Sequence, residues 1–228
     1  MIVIKDLRVD VLGEPLFEKV NLVIRTGERV GILGTRKSDV AAFLGALMGE
    51  TEVDDGTIAY EGERLAYLSA DTLQQGPESV MRVLHSRPTF LIVNAADVLD
   101  SAVTATLNSL LANFRGGVLL ASEDPQLMQI AKITRVLEIQ VTTKLVTSFA
   151  GSYPDYLVER EKNQARFTDA YEKQQKEKKR LEEWLAQKRT EAARDKRSPQ
   201  KGATIRTKAK YLQREILDKE LPKPIDAE

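Results

Sequence analysis

Residues 28–49 read Glu28-Arg29-Val30-Gly31-Ile32-Leu33-Gly34-Thr35-Arg36-Lys37-Ser38-Asp39-Val40-Ala41-Ala42-Phe43-Leu44-Gly45-Ala46-Leu47-Met48-Gly49. The apolar run at 30–33 predicts a short buried strand, Gly34 opens a loop, and 39–48 reads as a helix. Strand, glycine loop and helix is a layout that holds phosphate. In the string G-x-x-x-x-G-K-[ST] the loop amides close on the phosphates, the lysine reaches their charge and the hydroxyl holds Mg²⁺. Counted from Gly34, the second glycine is Asp39, the lysine is Val40 and the hydroxyl is Ala41. A carboxylate thus stands at the positive end of a helix, where a phosphate would stand. A second register starts at Gly31 and makes Arg36 the second glycine, Lys37 the lysine and Ser38 the hydroxyl. It forces Ile32 and Leu33 into a polar loop and needs extra residues before Gly49. No cofactor is expected in the first register; ATP with Mg²⁺ would be held only in the second, through Lys37.

Working outward, residues 1–150 alternate strand-like and helical stretches. Strands are expected at 2–9, 20–25, 57–60, 64–68, 89–94, 117–122, 134–140 and 144–149, and helices at 39–48, 78–85, 101–113 and 125–131. Phe90-Leu91-Ile92-Val93 and Val118-Leu119-Leu120-Ala121 are continuous apolar runs, as in strands of a parallel sheet buried on both faces. The early strands, with turns at Gly13, Asp55-Gly56 and Glu61-Gly62, suit an antiparallel edge. An α/β domain over 1–150 follows.

A second domain is expected over 151–228, and within it residues 155–220 change character. They are rich in Glu, Lys, Gln, Arg and Ala and carry no strand signal. Two helices, 155–193 and 203–220, are expected to form an antiparallel coiled-coil hairpin broken at Ser198-Pro199-Gln200-Lys201-Gly202. Phe167, Tyr171, Leu181, Trp184 and Leu185 form the stripe of the first helix, and Ile205, Leu212 and Ile216 that of the second. The stripe is thin, with Gln174 and Lys178 inside it, and a tail, Leu221-Pro222-Lys223-Pro224, follows.

The 228 residues carry 34 basic and 34 acidic side chains, and this balance hides an asymmetry. Within 188–214 stand Lys188, Arg189, Arg194, Lys196, Arg197, Lys201, Arg206, Lys208, Lys210 and Arg214, opposed only by Glu191 and Asp195, a net of +8. A basic appendage on an acidic body is a layout used to bind nucleic acid. The absence of cysteine removes disulfides, thiolate nucleophiles and thiolate metal sites, and with His85 as the sole histidine neither a metal centre nor a catalytic triad is expected. No signal peptide or membrane-length apolar run is read, so a cytoplasmic location without membrane contact is expected.

The strings Leu16-Phe17-Glu18-Lys19-Val20-Asn21-Leu22-Val23-Ile24, Gly27-Glu28-Arg29-Val30-Gly31-Ile32-Leu33-Gly34, Asp55-Gly56-Thr57-Ile58 and Arg64-Leu65-Ala66-Tyr67-Leu68 together resemble an ATP-binding cassette. Phe149-Ala150-Gly151-Ser152-Tyr153-Pro154-Asp155-Tyr156-Leu157, then Ala170-Tyr171-Glu172-Lys173-Gln174-Gln175-Lys176-Glu177 and Leu181-Glu182-Glu183, resemble the start of the interdomain linker of the ABC-F family. The resemblance covers nearly the whole chain, as one cassette plus linker. It implies a P-loop NTPase-like cassette core, ATPase activity, and a linker that acts on the ribosome and reaches toward tRNA.

The departures fall on the family's catalytic positions. No adenine-stacking aromatic stands at Val11 or Leu12. Val93 replaces the Mg²⁺ carboxylate and Asn94 the general base, followed by Ala95-Ala96; an amide cannot take up a proton at neutral pH. Asp100 survives at the D-loop position, Ser122-Glu123-Asp124 lacks the switch histidine, and Ala70-Asp71-Thr72-Leu73-Gln74 stands roughly where the signature would. About ten residues separate Leu68 from the next helix, so the helical subdomain is reduced. The expectation is a non-catalytic ABC-F-like protein that binds the ribosome, tRNA or other structured RNA through Arg189, Arg194, Lys196, Arg197, Lys201, Arg206, Lys208 and Lys210. The alternatives are an ATPase using Lys37, and a half-molecule paired with a second, intact cassette. Trp184, Tyr153 and Tyr156 are read as packing residues.

Overall fold

The computed structural model describes residues 1–11, 14–34, 36–95, 100–140, 144–194, 199–219 and 221, with side chains at all of these except 11, 189, 192–194, 199–204 and 215. Strands β1 (Ile2–Val11), β2 (Glu14–Ile24) and β3 (Arg29–Gly34) lead into helix α1 (Lys37–Met48). Strands β4 (Asp55–Tyr60) and β5 (Leu65–Leu68) precede α2 (Ala70–Gln74) and α3 (Pro77–Leu84). Then come β6 (Phe90–Asn94), α4 (Ser101–Asn113), β7 (Gly117–Ala121), α5 (Pro125–Ile130), β8 (Arg135–Gln140) and β9 (Leu145–Ala150). The long α6 (Tyr153–Arg194) is followed by α7 (Pro199–Tyr211) and a π-helical segment, Leu212–Leu217. The chain divides into two compact units, Met1–Leu157 and Val158–Glu228. Among the described residues no helix is long and apolar enough to cross a membrane.

The first unit is built on two sheets. One is antiparallel, in the order β2-β1-β4; the other runs β5-β6-β7-β3-β8-β9, parallel except for β9, which is antiparallel to β8. Every residue of β6 and β7 is buried, as their unbroken apolar sequence requires of strands with both faces covered. α1 lies against β3 and the antiparallel sheet, with Phe43 edge-on to Phe17 at 5.7 Å between ring centres. The start of β3 is tied to the rest by Arg29. Its guanidinium donates to the carbonyls of Leu111 (3.0 Å), Ala131 (2.7 Å) and Phe114, closing the C-terminal ends of α4 and α5. Burial lowers the pKa of this group.

Several boundaries differ from the sequence reading. Asp55-Gly56 opens β4 instead of forming a turn. Gly56 has φ of 92°, and a Cβ there would meet the carbonyl oxygens of Asp6 and Lys5 at 2.5 Å. The register between β1 and β4 shifts between Lys5 and Arg8, so this glycine serves a bulge, where the sequence signal of a turn looks the same. β2 begins earlier than expected, at Glu14; the turn predicted at Gly13 lies outside the described residues. Ala70–Gln74 forms a helical turn capped by Ser69, whose Oγ accepts from the Thr72 amide at 3.1 Å.

In the second unit the returning helix begins at Pro199, not at 203. Proline lacks only an amide that the first helical residue does not use, so it starts this helix instead of breaking one. Leu181 and Leu185 of α6 pack with Leu212 and Ile216 of the returning segment, joined by Trp184, Ile205 and Ala209. Gln174, a polar residue in the apolar stripe, closes the far end: its Nε2 donates to the Lys219 carbonyl (2.9 Å) and its Oε1 accepts from the Leu221 amide (2.8 Å). The two segments therefore run antiparallel.

Candidate functional site

The strand–loop–helix at 28–49 forms, but the loop is shorter than the sequence predicts. β3 ends at Gly34 and α1 starts at Lys37, so Lys37 and Ser38 are in the first helical turn and not in a loop. The Asp39 amide donates to the Arg36 carbonyl at 3.1 Å and the Val40 amide reaches the same oxygen at 3.5 Å. These are the amides at the second-glycine and lysine positions, and they are turned onto the chain itself. Asp39 is buried, with 2% of its surface exposed. It accepts from Arg36 Nε at 3.0 Å and from Ser38 Oγ at 3.3 Å. A buried carboxylate needs such partners, and the N-terminus of α1 supplies further favourable field. Val40 is also buried and packs over Gly34, where a Cβ would meet Val40 Cγ2 at 2.7 Å. The Gly34 backbone approach thus accommodates an apolar side chain.

The register beginning at Gly31 has its would-be loop inside β3. Gly31 is paired with Leu120 and Val136, Ile32 with Ala121 and Leu137, and Leu33 with Glu138. Lys37 is an exposed residue of the first turn of α1.

The neighbouring strand end is equally enclosed. Val93 is fully buried in the core that also holds Leu33, Leu91 and Leu120. Asn94 is buried and hydrogen-bonded with Tyr67. Burial raises the Tyr67 pKa, and the bond with Asn94 opposes that shift. Asp100 caps α4 by accepting from the Ala102 amide at 3.3 Å, and Asp124 caps α5 by accepting from Gln126 at 2.8 Å. Ser122 Oγ accepts from the Asp124 amide at 3.1 Å. Glu123 is exposed, and its carbonyl accepts from the Tyr153 hydroxyl at 3.4 Å. Each of these side chains or carbonyls has a structural partner in the chain. Leu12 and Ala96 lie outside the described residues, as does the side chain of Val11.

The root of α6 is a capping box. Ser152 Oγ donates to Asp155 Oδ2 at 2.6 Å, the Ser152 amide donates to the same oxygen at 3.2 Å, and the Asp155 amide returns a bond to Ser152 Oγ at 3.4 Å. These bonds hold the Asp155 carboxyl below its ordinary pKa. Tyr153 and Tyr156 are buried, stacked at 6.2 Å, and Phe149 meets Tyr156 edge-on at 5.9 Å. Sequence reasoning took the tyrosines as packing residues and missed the box, although its Ser-x-x-Asp spacing was legible.

Of the basic residues assigned to the arm, Arg206, Lys208 and Lys210 are exposed on α7. Lys208 Nζ sits 4.1 Å from the centre of the Trp184 ring, so this lysine also packs the arm by a cation–π contact. Lys188 is paired with Glu191 at 2.5 Å. Lys196 and Arg197 lie outside the described residues, as do the side chains of Arg189, Arg194 and Lys201.

A family model described as ABC transporter matches residues 139–216, from the end of β8 into the π-helical segment after α7. The probable ATP-binding protein YbiT of Escherichia coli O157:H7 is 24% identical over 195 residues, covering 63% of this chain and 36% of that protein. The chain therefore matches about a third of the length of that relative. A putative metal-chelate type ABC transporter in an inward-facing conformation superposes with a TM-score of 0.50 at 12% identity, over 65% of this chain and 82% of that one. That likeness concerns the fold.

Proposed function

We propose that the chain is an ATP-binding cassette carrying an ABC-F-type extension, and that it is a non-catalytic ABC-F-like protein, a reading supported by the family model over residues 139–216 and by the distant likeness to a probable ATP-binding protein. In this reading the cassette is a folded platform with a reduced helical subdomain, the second unit is a coiled-coil hairpin arm, and the arm binds ribosomal RNA, tRNA or other structured RNA. The observation that carries the non-catalytic part is the closed head of α1. The amides that would meet a phosphate donate to the Arg36 carbonyl, a buried carboxylate occupies the positive helix end, and Val40 fills the place of the lysine. Phosphoryl transfer is positioning and charge stabilisation, and the groups that supply both are replaced.

The RNA-binding part is supported by the +8 stretch at 188–214, with Arg206, Lys208 and Lys210 exposed on one helix. Lysines and arginines give salt-sensitive affinity for phosphate without base readout, which favours shape over sequence. Co-sedimentation with purified ribosomes tests it. Replacing Arg194, Lys196, Arg197 and Lys201 together with Ala is expected to release the protein at moderate salt. The log–log salt dependence should flatten by roughly 0.7–0.9 for each phosphate that the variant no longer neutralises. A quadruple variant that pellets as the parent does would sink the RNA reading and bring forward pairing with a second, intact cassette.

A further inference from the structure

The returning segment of the arm ends in a wide helical turn. α7 is α-helical to Tyr211, and Leu212–Leu217 is π-helical. The Asp218 amide donates to the Gln213 carbonyl, five residues back, at 2.8 Å, and Gln213 Nε2 donates to Asp218 Oδ1, also at 2.8 Å. No residue from 212 to 219 has a positive φ, so this is not the left-handed cap that commonly ends a helix. A π turn closes i→i+5 bonds, takes in a residue more than an α turn, and is found frequently at functional sites.

The sequence shows what the extra residue does. Ile205, Ala209, Leu212 and Ile216 recur at steps of four, three and four, the spacing of one helical face. Carried on as an α-helix, that face would next reach Lys219. The apolar residues beyond Ile216 are Leu217 and Leu221, which stand out of that phase. One residue turns an α-helix by about 100°, so the wide turn rotates the end of the segment until Leu217 joins the seam. Leu217 packs with the cluster of Leu181, Leu185, Leu212 and Ile216, Leu221 is half-buried, and Lys219 is exposed.

Gln174 holds the far end in this phase. Its Nε2 donates to the Lys219 carbonyl and its Oε1 accepts from the Leu221 amide, at 2.9 and 2.8 Å. Both partners are backbone groups beyond the π turn, so the rotation it imposes sets where they stand. The side-chain packing at the turn is open: a groove of about 330 Å³ borders it, lined by Leu185, Leu212, Gln213 and Leu217 among others. We infer that the stretch carrying Asp218, Lys219 and Leu221 is a strap with two positions. Latched, Gln174 holds it and Leu212–Leu217 is π-helical. Released, the Asp218 amide bonds to the Arg214 carbonyl as in an α-helix, the end rotates by about 100° and Leu217 leaves the seam. The seam toward the tip, from Ile205 to Leu212, is the same in both positions. The strap thus changes the far end of the arm without unfolding the rest, and the inference is independent of RNA binding.

Solution NMR of the full chain tests it, through the scalar coupling that crosses a hydrogen bond from the amide nitrogen to the acceptor carbonyl carbon. In the parent the Asp218 nitrogen should couple to the Gln213 carbonyl. In Gln174→Ala it should couple to Arg214, with Trp184 emission and the α7 amide signals as in the parent. Gln174→Glu should do the same, because a carboxylate cannot donate to the Lys219 carbonyl. Deleting Arg214 removes the extra residue itself, and Leu217 then takes the place of Ile216 on the same face. That variant should keep the parent's Trp184 unfolding midpoint in urea, and adding Gln174→Ala to it should not move the midpoint. Deleting Lys210, equally exposed but ahead of Leu212, throws Leu212 and Ile216 off the face of Ile205 and Ala209 and should lower the midpoint. Coupling to Arg214 in the parent overturns the inference. So does a coupling that stays at Gln213 in either Gln174 variant, or an Arg214 deletion that lowers the midpoint as far as the Lys210 deletion does.

Discussion

The first turn of α1 and the exposed face of α7 treat charge in opposite ways. At α1 the Asp39 carboxylate is buried and held by Arg36 and Ser38, and its surroundings are used up by the fold. On α7, Arg206, Lys208 and Lys210 stand exposed in a stretch where ten basic residues face two acidic ones. A buried charge must be paired, so it contributes to one conformation and to little else. An exposed row of like charge supports little packing but projects a field on which a distant partner can act. The difference separates the unit proposed to serve as platform from the unit proposed to supply attraction.

The largest expected effect comes from the packing beneath α1. Phe43 is fully buried against Phe17, and Phe43→Ala should lower the stability of the first unit by about 3–5 kcal/mol. The sole tryptophan, Trp184, lies in the second unit and reports on it separately. In a urea titration the far-ultraviolet signal of the variant should lose a large component early, while the Trp184 fluorescence transition keeps its midpoint. If both signals shift together, the two regions fold as one and the contrast between them is not energetic.

Much of this was legible in sequence, for reasons that differ along the chain. β6 and β7 are continuous apolar runs too short for an ordinary helix, which suits a doubly covered strand. The order of elements in the first unit follows from that and from the α1 periodicity. Asp39, Val40 and Ala41 were readable as departures from the phosphate-loop string, but how they pack was not. Whether Asp39 faces solvent or folds back on Arg36 depends on where α1 begins, and a shift of two residues decides it. Gly56 was misread because a bulge and a turn demand the same backbone freedom. Pro199 was misread because proline ends one helix and begins another with equal ease. The pairing of Lys208 with Trp184 joins residues 24 apart in sequence across two segments, which no local pattern encodes.

A middle-sized effect probes the closed loop directly. Asp39→Asn keeps the shape and removes the charge that Arg36 and the α1 terminus stabilise. It should lower first-unit stability by about 1–3 kcal/mol in thermal or denaturant melts. In the same melts millimolar Mg-ATP should leave the parent's midpoint unchanged, because a ligand that does not bind cannot shift the equilibrium. A rise of several degrees for the parent would show that the loop opens to nucleotide and that the inward-turned charges are a gate.

The smallest expected effect sharpens the other side of the comparison. Lys208 belongs both to the basic row and to the packing of the arm, since its ammonium lies over the Trp184 ring at 4.1 Å. The pair is partly exposed, where a cation–π contact is worth about 0.5–1 kcal/mol. Lys208→Ala should therefore shift the Trp184 emission and lower the midpoint of the fluorescence transition slightly, with the first unit's transition unmoved. Lys208→Arg keeps the cation and should restore most of the stability, because a guanidinium also stacks on an indole face. Salt separates the two roles. A contribution from the ring contact persists as ionic strength rises, whereas one from the field of the row fades within a screening length of about 10 Å at 0.1 M. If Lys208→Ala leaves the fluorescence transition untouched while weakening RNA binding, the lysine acts only outward, and the contrast between inward and outward charge holds without exception on α7.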